Sequence, residues 1–182
     1  LVGDGWSAGA IGAGIVSTDD AAVDGTVVLQ GRGHYLPAAF GGGGALSASF
    51  YPDGTVATQL DGTFTWRPRS WLRLDVGPEL QLVGEAGDME VLGSAHLRAT
   101  VTPLAALSLT ISGYGGMRRY AVDDSALSIW TNDERYLGGY RVGVAWTPLD
   151  HLTLSARFRH DFGDEQDDQA HDFQTLGATF GA

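Results

Sequence analysis

Two histidine–carboxylate neighbours, His160-Asp161 and His171-Asp172, stand close together near the end of the chain. A histidine polarised by a carboxylate can act as a general base and activate water. Acid pairs that could complete such a site occur at Asp19-Asp20 and Asp123-Asp124. Ser125 and Ser128 supply hydroxyls, but no nucleophile turn surrounds either one. The segment from Asp164 to Asp172, DEQDDQAHD, includes the second of these histidines, and in it Asp164, Glu165, Asp167 and Asp168 gather hard oxygen ligands suited to Ca²⁺ or Mg²⁺. The segment lacks the glycine turn and closing glutamate of an EF-hand loop. It supports at most a weakly held divalent ion, and no other cofactor is expected. The plainer reading of all these acids is a set of solvated loops.

A second group of charges is spread differently. Arg73, Asp75, Glu79, Glu90, Arg98, Arg118, Arg141, Arg157, Arg159 and Asp161 fall on the polar beats of alternating segments rather than in loops. All 11 basic residues are arginine, with no lysine. Solvated sheet faces and edges commonly use lysine, whereas the planar guanidinium fork suits ion pairs in a confined interior. Those residues are expected to form one network. The chain carries 22 acidic residues against those 11 arginines, a net charge of −11, which argues against nucleic acid as a partner. With no cysteine, disulfides and thiolate chemistry are excluded.

The elements that must position these charges are strands. VAWTPLDHLTLSARFRH, Val144 to His160, is a period-two pattern on both sides of Thr-Pro-Leu-Asp, which reads as a hairpin. The same unit recurs as TWRPRSWLRLDV and ATVTPLAALSLTI, with prolines 68, 103 and 148 spaced by 35 and 45 residues. Proline suits a turn because its φ is preset and it need not donate to the ladder. Trp71 to Gly84 alternates Leu72, Leu74, Val76, Leu80 and Leu82 against Arg73, Asp75, Glu79 and Gln81. Met89 to Thr102, Leu107 to Arg118, Tyr136 to Thr147, His151 to Phe162 and His171 to Phe180 alternate likewise. Toward the start, strands are expected at Trp6 to Thr18, Thr26 to Leu36, Ala45 to Tyr51 and Thr55 to Trp66, with a flexible four-glycine stretch before the third. The total is about ten, or eight if the glycine region is irregular. One domain spans residues 1–182, with no helix and no internal boundary. Leu1 to Gly5 lacks the basic start and apolar run of a signal peptide, as expected of a mature or trimmed chain.

Alternation alone does not say which face is wet. Three features place the apolar beats outside, in lipid. Trp66, Trp71 and Trp146 sit at strand ends beside the proline turns, where an interfacial aromatic girdle belongs. Small residues such as Gly93, Ala95 and Ala99 dilute the apolar face, which lipid tolerates more readily than a close-packed core. The polar face holds charges of both signs. In addition, proline turns mark one end of the strands and acidic loops the other: Asp19 to Asp24, Glu85 to Asp88, Val122 to Glu134 and Asp164 to Asp168.

On these residues the chain resembles small outer-membrane β-barrel proteins of Gram-negative bacteria, most strongly from Trp66 onward; Phe180, however, stands two residues short of the last. The resemblance implies an all-β, antiparallel, up-and-down transmembrane barrel in the outer membrane. Its partners would be outer-membrane lipid and lipopolysaccharide, together with protein partners docking on its lipid face. The expected function is a non-enzymatic structural or interaction module, or a narrow channel with an Arg/Asp/Glu lumen. The His-Asp and Asp-Asp pairs are similar to those of omptin-type outer-membrane proteases, which implies a rim hydrolase as the alternative, although the chain is short for that family and no surrounding motif matches. A soluble sandwich or ligand-binding barrel, with the apolar face inside, is the third reading.

Overall fold

The structure, a computed structural model, describes residues 2–3, 5–14, 25–37, 39–119, 122–123, 128–129, 136–149, 151–163 and 171–180. A short edge piece, β1 (Val2–Gly3), is followed by β2 (Trp6–Gly14), β3 (Val27–Tyr35), β4 (Phe40–Phe50) and β5 (Val56–Arg69). Next come β6 (Leu72–Glu85), β7 (Asp88–Leu104) and β8 (Leu107–Arg118). A small hairpin, β9 (Val122–Asp123) with β10 (Ser128–Ile129), precedes β11 (Tyr136–Leu149), β12 (Leu152–Gly163) and β13 (His171–Phe180). Apart from that hairpin the strands form one eleven-stranded sheet in chain order. Every neighbouring pair in it is antiparallel, which is the up-and-down arrangement expected. Among the described residues no helix occurs, and no pairing joins β2 to β13, so the sheet is open along that seam.

The sheet is strongly curled. Neighbouring strands lie about 4.8 Å apart, so side chains two strands apart meet only on a concave face. Three such contacts are present: His34 of β3 with Thr65 of β5, Glu79 of β6 with Arg118 of β8, and Tyr114 of β8 with Asp161 of β12. The concave face is polar. Gln30, Ser47, Gln59, Thr65, Asp75, Glu79, Gln81 and Asp161 are all buried. The convex face is apolar and exposed, with Leu46, Leu60 and Leu80 forming one cross-strand row and Phe64, Val76 and Leu97 another. A small apolar core (Tyr51, Ala57, Val83 and Leu92) fills the concave side near the β4–β5 turn.

Three local expectations are corrected. First, the repeated prolines do not form the turns. Each sits at a register break, between Trp66 and Arg69, Val101 and Leu104, and Trp146 and Leu149. A residue that cannot donate to the ladder is accommodated where a bulge interrupts it, and the chain reverses just beyond. Second, Gly41–Gly44 is not a flexible stretch but part of β4, paired with β5 throughout and with β3 from Gly42 onward. A Cβ at Gly41 would land on the Tyr35 carbonyl, and one at Gly43 on the Gly33 carbonyl. Glycine there permits the close approach. Third, Glu85 to Asp88 is not an acidic loop but a two-residue hairpin turn, Ala86-Gly87, with Glu85 opposite Asp88. The Pro52-Asp53-Gly54 turn is also tight: Asp53 accepts a hydrogen bond from the Thr55 N–H at 2.8 Å and Gly54 takes φ +88°. Long connections at that end are therefore fewer than the acidic clusters suggest.

Candidate functional site: the charged interior

The concave face encloses a cavity of about 490 Å³, lined by residues from every strand from β2 through β8 together with β11 and β12. Period-two geometry explains the lining: once one residue of a strand points inward, every second residue follows. Of the ten charged residues expected to form a network, all but Glu90 and Arg157 line this cavity. Glu90 lies beyond it, 3.4 Å from Arg119, and Arg157 is exposed near the proline end of β12.

The charges are organised in three arrays. In the first, Asp75 is buried and accepts a hydrogen bond from Thr65 Oγ1 at 2.5 Å and one from Arg73 Nε at 2.9 Å. His34 Nε2 lies 3.3 Å from the same Thr65 hydroxyl. In the second, Glu79 is ion-paired with Arg118 and accepts from Gln81 Nε2 at 3.0 Å. Gln81 also donates to Gln59 at 3.3 Å, and Gln59 donates to Asp61 at 2.8 Å. Arg118 donates to Ser94 Oγ at 3.1 Å and lies 4.2 Å from the centre of the Tyr114 ring. In the third, Asp161 is fully buried, accepts from Tyr114 Oη at 3.1 Å and pairs with Arg159 Nε at 2.5 Å. A Cβ on Gly139 would collide with Asp161 Oδ1 and the Tyr114 ring, so glycine leaves the space this bond occupies. Carboxylates this buried are tolerated only when paired and hydrogen-bonded, which the arrays provide.

Sequence reasoning missed several members of these arrays. Arg32, His34, Gln59, Asp61, Thr65, His96 and Tyr114 line the cavity or bond within it. They share the inward parity of the charges that were selected, so parity alone could have found them.

His160 and Asp161 are not assembled as a pair. His160 and Asp161 are neighbours on β12 and therefore point to opposite faces. Asp161 is buried inside, while His160 packs on the convex face against Tyr140 and Phe162, with centroids 5.3 and 4.8 Å apart. In register, β13 sets His171 opposite Asp161 and Asp172 opposite His160. Asp123 and Ser128 are backbone partners in the β9–β10 hairpin. Asp19, Asp20, Asp124, Ser125 and the metal candidates Asp164, Glu165, Asp167 and Asp168 lie outside the described residues. Among the described residues no group of three or more potential metal ligands occurs.

Trp66, Trp71 and Trp146 are all exposed on the outer surface. Trp66 stacks on Phe40, rings 5° from parallel and 6.4 Å apart, and Trp6 packs on Tyr35 at 4.4 Å. These aromatics cluster at the proline end of the strands. Comparison with protein-family models, with curated proteins and with solved structures finds no match to this chain.

Proposed function

We propose that this chain is a transmembrane β-barrel of a bacterial outer membrane, non-enzymatic, with a narrow charge-lined interior. One observation carries the reading: the polarity of the sheet is inverted. Asp75, Glu79, Gln81 and Asp161 are buried while Leu46, Leu60, Leu80 and Leu97 are exposed. In water that arrangement leaves a large apolar surface uncovered; in a bilayer it is the stable one. A soluble sandwich would bury the apolar face instead. The exposed tryptophans at the proline end suit a headgroup-level girdle. Strands of 9 to 17 residues meet the roughly 9–11 residues of a tilted membrane strand. The reading requires the open seam to close, because unpaired strand edges are not tolerated in lipid. Ion pairs crowd the interior, which supports a scaffold or a narrow passage over a general diffusion pore.

The test is refolding with and without detergent, followed by flotation with lipid vesicles. The barrel is expected to fold cooperatively only with detergent or lipid and to float with the vesicles. A cooperatively folded, detergent-free monomer would overturn the reading. Planar-bilayer recording then separates its two forms: small steady current for a passage, none for a scaffold.

A further inference from the structure

The three repeated hairpin ends share one backbone but not one chemistry. In each, the proline bulge is followed by a residue that pairs directly with a leucine of the next strand: Arg69 with Leu72, Leu104 with Leu107, Leu149 with Leu152. In each, the residue before the proline donates its N–H to a carbonyl of the preceding connection at that end. Arg67 donates to Ala39 at 2.7 Å, Thr102 to Trp71 at 2.8 Å and Thr147 to Ala106 at 2.8 Å. The turns are thus laced side by side along one rim. Their equivalent positions read Arg67, Arg69 and Trp71 in the first turn, and Thr102, Leu104 and Ala106 in the second. In the third they read Thr147, Leu149 and His151, and Asp150 adds a negative charge. Of the three, only the β5–β6 turn carries arginines, and it carries two.

Directly paired residues on neighbouring strands point to the same face. Leu72 pairs in turn with Val101, and Val101 with Leu109, so Arg69 closes a row of the apolar convex face. Arg67 and Arg69 are both exposed, as are Trp66 and Trp71 on either side of them. Neither arginine is ion-paired with a described residue. A guanidinium at the end of an apolar face lays its stem along that face and reaches for the polar phase, and indole rings settle at headgroup level. The polar group at that level of a bilayer is a phosphate, which the planar fork binds through two oxygens. We infer that the β5–β6 turn is a docking site for the headgroup of an anionic phospholipid, with Arg67 and Arg69 on the phosphate and Trp66 and Trp71 beside it. Charge complementarity selects the lipid class: a zwitterionic headgroup brings its own ammonium, which competes with the arginines. The chain as a whole carries −11 and repels an anionic surface, so the attraction is local to this turn. The inference rests on the membrane reading and adds to it a lipid class and a place on the rim.

The test is tryptophan quenching by brominated lipid. The detergent-refolded full chain is reconstituted into phosphatidylcholine vesicles that contain either brominated phosphatidylglycerol or brominated phosphatidylcholine as a minority lipid. Trp6→Phe, Trp130→Phe and Trp146→Phe leave Trp66 and Trp71 as the reporters. Phosphatidylglycerol should quench the better, with a relative association constant about fivefold above that of phosphatidylcholine or more at low salt. The preference should shrink as salt rises. Arg67→Gln/Arg69→Gln should bring the ratio close to one. Both side chains are exposed and the backbone bond from residue 67 to Ala39 survives the change, so the double variant should fold. Adding Asp53→Asn and Asp88→Asn, at exposed turns of the opposite end, restores the net charge but should not restore the preference. Equal quenching by the two lipids, an unchanged preference in the double variant, or its recovery with the distant substitutions would overturn the site. Flotation of the same vesicles scores the membrane reading separately. A chain that floats without a lipid preference loses only the site, and one that does not float even with phosphatidylcholine vesicles loses the membrane reading itself.

Discussion

Leu92 and Leu97 lie five residues apart on β7, yet one is 1% exposed and the other 58%. Leu92 belongs to the concave face, in the small apolar core with Tyr51, Ala57 and Val83; Leu97 belongs to the convex face, beside Val76. The same residue type thus occupies two different environments. On the concave side apolar packing is confined to one end, and charged arrays occupy the rest. On the convex side apolar residues dominate and no core covers them. The difference teaches that ion pairs and hydrogen bonds hold this sheet from inside, while its described exterior is apolar and exposed.

The strongest way to break that contrast is to remove one partner of an interior ion pair. Glu79→Ala strands the Arg118 guanidinium, which is mostly buried and paired with Glu79. Leaving one charge of a buried pair uncompensated costs about 3–5 kcal/mol. The denaturant midpoint of the refolded protein should fall accordingly, and restoring neutrality with Glu79→Ala/Arg118→Leu should recover much of the loss. A shift below about 1 kcal/mol, the scale of exposed pairs, would mean the array is solvated and the interior is not closed off.

A charge placed on the other face tests the other half. Leu97→Arg is expected to cost about 2–4 kcal/mol in a bilayer if Leu97 lies near the midplane. Thr100→Arg, three residues on and facing the interior beside Thr110, should cost far less. Folding in vesicles, followed by urea unfolding, measures both. Equal costs at the two positions would erase the distinction between faces.

How much of this was legible follows from what alternation can encode. Arg73, Asp75, Glu79, Arg98 and Asp161 could be grouped because a strand turns every second side chain to one side, whatever the tertiary structure. The same rule separates His160 from Asp161, a pair whose sequence adjacency suggests a dyad but whose strand geometry forbids one. Other features depend on contacts that spacing does not carry. Arg118 meets Glu79 across an intervening strand, which only the curl of the sheet brings about. Pro68, Pro103 and Pro148 mark chain reversals correctly, but the bulge that absorbs each proline depends on the partner strand. Gly41–Gly44 reads as flexible because glycine usually is; its pairing arises from two neighbours that approach too closely for a Cβ.

The smallest expected effect belongs to a position on neither face. Ala86 has φ +50° and is followed by Gly87 at φ +96°, the backbone signs of a type I′ hairpin turn. An L-residue other than glycine, asparagine or aspartate pays about 1–2 kcal/mol to adopt the left-handed region. Ala86→Gly would remove that strain but also loosen the unfolded chain, which offsets about 0.4–1 kcal/mol of the gain. Ala86→Asn avoids the offset, because Asn-Gly is the favoured pair for this turn. It should raise stability by up to about 1 kcal/mol, read as a higher denaturant midpoint with an unchanged slope. Because it touches neither the charged arrays nor the apolar exterior, it should leave vesicle flotation as it is. A loss of stability would show that the β6–β7 turn is not type I′ and that the register running from Glu85 opposite Asp88 through Asp75 opposite Arg98 is set elsewhere.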